Sequence, residues 1–269
     1  MKKFFRTILL FLVTCSLFLT SGCGGEKNSD SDKQYNGTII IGFDEFAPMG
    51  FTDEQGNVVG FDVDLAKEAA KRLGADIEFK SIEWNSKEAE LRSGRIDMIW
   101  NGLDITPDLQ QNMLFSKPYM DNRQILMVKH GNPQGIYSLG DLAGKIVATQ
   151  AGSNSEDDID ADDALRKSFA KFKTYRTIGE GFDGLRNGDF DALVIDEIAA
   201  RYEINKTPDA FEIVDVTVGS PTEFGIGFRK GSTELRDKVQ KVFGDMIKDG
   251  TAKKISLQWF GVDLIKYGR

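Results

Sequence analysis

From residue 38 onward, short β-rich apolar runs alternate with stretches whose apolar residues recur at helical spacing. Thr38–Phe43 and Asp76–Ile82 flank Asp62–Leu73, where Leu65, Ala66, Ala69, Ala70 and Leu73 fall on one helix face. Asp62 suits the N-cap and Gly74 the residue that ends this helix. Asn85 and Glu88 have capping-box spacing, which predicts a short helix ending near Gly94. Strand, helix, strand, helix, strand reads as parallel α/β layering. Near the C-terminus, Leu235, Val239, Val242, Phe243, Met246 and Ile247 follow Ser232 at helical spacing and predict an amphipathic helix stopped by Gly250. Thr251–Phe260 reads as a further helix, with Trp259 and Phe260 packing against the body.

The chain echoes itself. Ser93-Gly94-Arg95-Ile96-Asp97-Met98-Ile99-Trp100 and Asn187-Gly188-Asp189-Phe190-Asp191-Ala192-Leu193-Val194 share one form: small or polar, Gly, charged, apolar, Asp, then three mostly apolar residues. Each copy reads as a helix end, a glycine turn and a buried strand. Five residues past the aspartate come Gly102 and Asp196, placed at the C-terminal ends of equivalent strands, where open α/β sheets bind ligands. Two such lobes with facing strand ends make a cleft, a favoured place for small-molecule sites.

The first residues change the domain count. Lys2, Lys3 and Arg6 precede the apolar stretch Ile8–Leu19, which reads as an export signal over residues 1–22. The stretch is shorter than the roughly 18 apolar residues of a membrane-spanning helix. Leu19-Thr20-Ser21-Gly22-Cys23 resembles the lipobox of bacterial lipoproteins, which implies cleavage before Cys23 and a diacylglycerol on its thiol; a plain secretory signal is the alternative. Residues 23–36, rich in Gly, Ser, Asp and Asn, read as a flexible tether.

Of the 269 residues, 34 are Lys or Arg and 42 Asp or Glu, a net charge of −8 that becomes −11 when the three cations of the leader are removed. Such an acidic body is a poor partner for nucleic acid. With Cys15 in the leader and Cys23 acylated, neither of the 2 cysteines remains for a disulfide or a zinc site. No cofactor or metal is implied.

Across nearly the whole mature length the sequence resembles the family 3 solute-binding proteins of bacterial ABC importers for polar amino acids. The matching phrases are Ile40-Ile41-Gly42-Phe43-Asp44 with Ala47-Pro48, Gly60-Phe61-Asp62-Val63-Asp64-Leu65-Ala66, Ser93-Gly94-Arg95-Ile96-Asp97 and Ile105-Thr106-Pro107. They continue with Phe115-Ser116-Lys117-Pro118-Tyr119, Gln150-Ala151-Gly152-Ser153, Asp191-Ala192-Leu193-Val194-Ile195-Asp196-Glu197, and Gly250-Thr251 before Trp259-Phe260. The resemblance implies an α/β, two-lobed periplasmic-binding-protein fold of the type II clamshell kind with a two-strand hinge. Lobe one is then 37–120 plus 224–269, and lobe two is 121–223. It also implies a monomer that captures a small polar solute, an amino acid by preference, outside the cytoplasm and hands it to ABC permease subunits. The diacylglyceryl anchor would hold it to the cell membrane, or in the periplasm of a Gram-negative host.

The family positions assign roles residue by residue. Phe46 and Trp84 match the aromatic wall against the ligand side chain, and Asp196 matches the carboxylate that receives the ligand ammonium. Asp44 matches a position facing the ligand side chain, where a carboxylate favours cationic or amide groups. Gln150, Ser153 and Asn154 open a helix expected near Ser155, whose free N–H groups attract an anion.

Two positions depart from the pattern. Relatives usually carry Ser or Thr where this chain has Asp104, and a carboxylate-gripping Arg where it has Leu109. Three readings stay open: backbone N–H groups near Asn101, Gly102 and Asp104 hold the ligand carboxylate, Arg123 reaches in, or the ligand is not an ordinary α-amino acid. The alternatives to a receptor for import are a clamshell enzyme of the cyclohexadienyl dehydratase kind and a receptor feeding a separate sensor. The single histidine, His130, lies outside every cleft phrase, and no nucleophile–base pair is recognisable.

Overall fold

The structure, a computed structural model, describes residues 37–266; the signal, Cys23 and the tether lie outside the described residues. Strand β1 (Thr38–Phe43) leads through the hairpin β2 (Phe51–Thr52) and β3 (Val58–Val59) to α1 (Phe61–Leu73), β4 (Asp76–Ser81), α2 (Lys87–Ser93) and β5 (Met98–Asp104). Helix α3 (Pro107–Asn112) and β6 (Met113–Phe115) follow, and β7 (Met120–Lys129) carries the chain into the second half. There β8 (Ile146–Gln150), α4 (Asn154–Ala161), α5 (Asp163–Ser168), β9 (Lys171–Tyr175), α6 (Ile178–Asn187), β10 (Ala192–Asp196) and α7 (Glu197–Lys206) form the second lobe. Strand β11 (Phe211–Arg229) returns to the first lobe, which α8 (Thr233–Lys248) and α9 (Thr251–Phe260) complete.

The strands hydrogen-bond in the order β4-β1-β5-β11-β7-β10-β8-β9, with β6 beside β11. In each lobe three parallel strands lie in the order second, first, third: β4-β1-β5 and β9-β8-β10. Helical crossovers make parallel neighbours, as the alternating sequence pattern predicts. The antiparallel pair β7 and β11 joins the two trios, and the chain thus crosses between lobes twice. The lobes meet near Asn122↔Thr222 and Asp121↔Glu223, beside a register shift between Val218 and Thr222. A ladder interrupted there is the easy place for the two-stranded connection to bend.

The sequence echo is a structural repeat. Helix α2 ends on Gly94 and α6 on Gly188, each in the left-handed conformation with its N–H bonded back to the last turn. Asp97 N–H donates to Ile40 O at 2.8 Å while its carboxylate accepts from Ile40 N–H at 3.0 Å. Asp191 and Ile146 make the same reciprocal pair, both bonds at 2.8 Å. In each lobe one aspartate therefore fastens the start of the third strand to the first.

An aromatic core fills the first lobe, where Trp100 packs edge-on to Phe243 at 5.5 Å and Phe61 against Phe260 at 4.9 Å. In the second, Leu126, Val128, Val147, Ile159 and Val194 are buried together. Of the expected stripe, helix α8 buries Leu235, Val239, Phe243 and Met246 and half-buries Val242 and Ile247. Among the described residues no helix is long and apolar enough to cross a membrane.

Two local expectations are corrected. Asp62 is not the N-cap of α1: Gly60 precedes the helix, and Asp62 is fully buried, accepting from Gly102 N–H at 2.7 Å and from the Tyr119 hydroxyl at 2.8 Å. Asn85 does not cap α2 either, because a 3₁₀ turn over Trp84–Ser86 intervenes and Ser86 takes that position.

Candidate functional site

The site collects at the C-terminal ends of the parallel strands of both lobes. Asp44 and Phe46 follow β1, Trp84 follows β4, and Asn101, Gly102 and Asp104 close β5. From the second lobe, Gln150 ends β8, Ser153 and Asn154 open α4, and Asp196 ends β10. These ten residues, every cleft position named from the sequence, line one cavity with about 20 Å³ of free space. That is room for about one water. The lobes are closed on each other, and a solute the size of an amino acid enters only when they part.

Several of the lining groups are held by the protein itself. Asn101 is fully buried, accepting from Asp44 N–H at 2.9 Å and donating to Gly50 O at 3.2 Å. Gly102 adopts φ 60°, and a Cβ there would fall 2.4 Å from the Phe46 ring, so glycine is required where the aromatic wall lies on the strand. Its N–H is taken by Asp62. Helix α4 starts one residue earlier than expected: Ser153 is its N-cap, accepting from Glu156 N–H at 3.3 Å and donating to Gln150 O at 2.8 Å. Asn154 donates to Asp158 at 3.0 Å.

Asp196 occupies the N-cap position of α7 without a side-chain capping bond. Its carboxylate instead accepts from Gln124 at 2.8 Å and from Asn122. The same Asn122 amide donates to Asp104 at 2.9 Å, and Thr222 donates to Asp104 at 2.5 Å. A carboxylate from each lobe is thereby tied to the strands that connect them. Burial, with the Asp196 charge nearby, pushes the Asp104 carboxyl up to about 8, and burial raises Asp196 as well. Asp44 is raised by burial too.

Closure is held by bonds across the cleft. Gln150 donates to Asp44 at 2.6 Å, Lys87 to Gly152 O at 2.7 Å, and Arg176 to Glu83 at 3.0 Å. Gly152, at φ 72°, lies so near the other lobe that a Cβ on it would sit 2.6 Å from Asn85 Cα. The Lys87 ammonium also lies 5.2 Å over the Trp84 ring, and its desolvation lowers its pKa.

One of the three readings for a ligand carboxylate is overturned. Arg123 does not reach in, because it forks onto Glu197 at 2.6 and 3.0 Å and onto Asp215 at 2.8 Å. A larger hollow of about 560 Å³ runs past this cluster, lined by Arg123, Arg201 and Glu197, but the strand ends do not converge on it. His130 is exposed beside Glu212 and lines no part of the cleft.

Sequence reasoning missed Asp62, Lys87, Asn122, Gln124 and Thr222. Asn122 and Gln124 share one face of β7, but Asp121 and Arg123 alternate with them, so no hydrophobic pattern singles that face out in the sequence.

A model of the bacterial extracellular solute-binding proteins, family 3, matches residues 39–262. The chain belongs to this family. The L-cystine-binding protein TcyJ of Escherichia coli K12 is 32% identical over 233 residues, covering 86% of this chain and 85% of that one. The arginine-binding extracellular protein ArtP of Bacillus subtilis is 32% identical over 264 residues, covering 97% and 98%. Among solved structures, an ABC uptake transporter substrate-binding protein of Streptococcus pneumoniae with bound histidine superimposes with a TM-score of 0.82 at 36% identity, covering 89% of this chain and 99% of that one. The family and these relatives are solute-binding proteins rather than enzymes. In this family 3 protein the two lobes, the hinge and the strand-end cleft are the parts such a role needs.

Proposed function

We propose that this chain captures a small polar solute of the amino-acid class, cationic where Asp44 and Asp196 face it, and presents the closed form to the permease of an ABC importer. Residues 37–120 and 224–269 act as one lobe and 121–223 as the other. A diacylglycerol on Cys23 and the 23–36 tether keep the receptor, a monomer, at the outer face of the membrane. It acts as a receptor and not as an enzyme.

The observation that carries this reading is the convergence of strand ends from both lobes on one cavity, with a carboxylate from each lobe on a shared hinge amide. A ligand touching both lobes binds the closed form better and so shifts the population toward it. Moving from 1:99 to 99:1 needs about 5.5 kcal/mol of differential affinity. Charge-assisted bonds contribute ~1.5–3 kcal/mol each, and those completed only on closure, such as one to Asp196 from a solute seated on Asp44 and Asp104, count toward that difference.

The test uses the chain from residue 24, titrated by calorimetry against amino acids and followed by small-angle scattering. Tight binding of one solute without turnover, with a fall in radius of gyration, is expected. An unchanged envelope on tight binding would overturn it. Labelling with radioactive palmitate in a bacterial host, lost on Cys23→Ala, tests the anchor.

A further inference from the structure

The charge of the cleft is one-sided. Of the residues lining it, Asp44, Asp104 and Asp196 are carboxylates and none is a cation. Two of the acids are gathered on Asn122, and the third is held on a different donor, Gln150. The cations on the flanking elements are engaged elsewhere. Arg123 spans Glu197 and Asp215, Arg176 pairs with Glu83 and Glu180, and Lys87 rests on Gly152 O beside the Trp84 ring.

Asp104 decides the matter. It is only 8% exposed, both of its protein donors reach Oδ1, and among the described residues no donor reaches Oδ2. That oxygen is not sealed off, and on a residue lining the cavity it is free to accept from a ligand. An α-carboxylate brought here would be desolvated among three acids, and the nearest cation, Lys87, faces Asp104 from the neighbouring cavity and already donates to Gly152 O; an ammonium or guanidinium would instead donate to Asp104.

We propose that this cleft selects a carboxylate-free organic cation, a diamine or amino-guanidine, with one cationic end on Asp104 and Asp196 and the other on Asp44. The inference rests on the receptor reading of the cleft and replaces the amino acid by its carboxylate-free amine counterpart as the solute. The burial-raised Asp104 carboxyl agrees with it, since a site awaiting a cation holds a proton until the cation displaces it.

The mature chain is titrated by calorimetry at pH 7 with matched pairs: agmatine and L-arginine, cadaverine and L-lysine, putrescine and L-ornithine. In at least one pair the amine is expected to bind roughly 10–100-fold tighter than its parent amino acid. Tighter binding of the amino acid in every pair overturns the inference and leaves the receptor reading standing. Failure of every amine to bind also overturns it. Failure of every amine and every amino acid removes both readings. Asp104→Asn should lower amine affinity at least tenfold. Leu109→Arg, on the wall of the neighbouring cavity that Asp104 shares, should move the preference toward the amino acid without disturbing the Asn122 network. Unchanged preference in both variants, with thermal unfolding showing each folded, overturns the assignment of Asp104.

Discussion

Gln150 of the second lobe donates from Nε2 to Oδ2 of Asp44 in the first at 2.6 Å. The bond exists only when the lobes are together, so it stabilises closure and nothing else. A hydrogen bond to a charged group contributes ~1.5–3 kcal/mol. Gln150→Leu should therefore shift the open-to-closed ratio toward open by roughly 10–100-fold. Paired fluorophores on the two lobes would report it, and an unchanged distance distribution would count against the bond as a latch.

Asp196 can be neutralised without dismantling the fold, because its side chain does not cap α7. Asp196→Asn is expected to weaken a cationic ligand about 10–100-fold while the melting temperature of the ligand-free chain moves by no more than a few degrees. Titration calorimetry beside scanning calorimetry separates the two effects. Full affinity in the variant would remove Asp196 from the site.

The two buried acids set a pH dependence. Burial lifts Asp62, which among the described residues faces the Tyr119 hydroxyl as its one ionisable neighbour, to about 7, and lifts Asp104, which faces Asp196, Asp158 and Lys87, to about 8. Both start from an ordinary value near ~4 in the unfolded chain. Between these values the folded chain holds protons that the unfolded chain has lost, so stability falls as pH rises through that window. The ligand-free protein should melt at a lower temperature at pH 8 than at pH 6, and Asp62→Asn should flatten the slope. A melting temperature that climbs from pH 6 to pH 8 would contradict the assignment.

The paired aspartates of the repeat offer an internal control. Asp97→Ala and Asp191→Ala each remove the carboxylate half of the reciprocal pair and leave the backbone N–H bond in place, at ~1–3 kcal/mol. For a chain of this size that is about 2–4 °C of melting temperature per kcal/mol. Asp97→Ala should cost somewhat more, since Asp97 also holds Arg229 at 3.3 Å. A neutral Asp191→Ala would break the equivalence of the two lobes.

Much of the fold was readable because its signals are local. Periodicity placed α1, α8 and α9, and the Gly-x-apolar-Asp phrase located both third strands together with the ends that point into the cleft. The lining residues were found by position in a recognisable pattern. What escaped depends on partners far along the chain. Asp62 looked like a helix cap because acids favour first turns, yet its carboxylate is committed to Gly102, forty residues away. Nothing in its local sequence distinguishes Lys87, and the approach of Gly152 from the other lobe gives its ammonium a partner. Asn122 became visible as a bridge only when Asp104 and Asp196 were brought to either side of it.

The tight seat of Gly152 against Asn85 Cα means that the resting gap is governed at the scale of a single carbon atom. A methyl group at that position would act as a doorstop, leaving both halves intact while the jaws rest ajar. Capture would persist in weakened form, but the filled protein would keep the outline of an empty one.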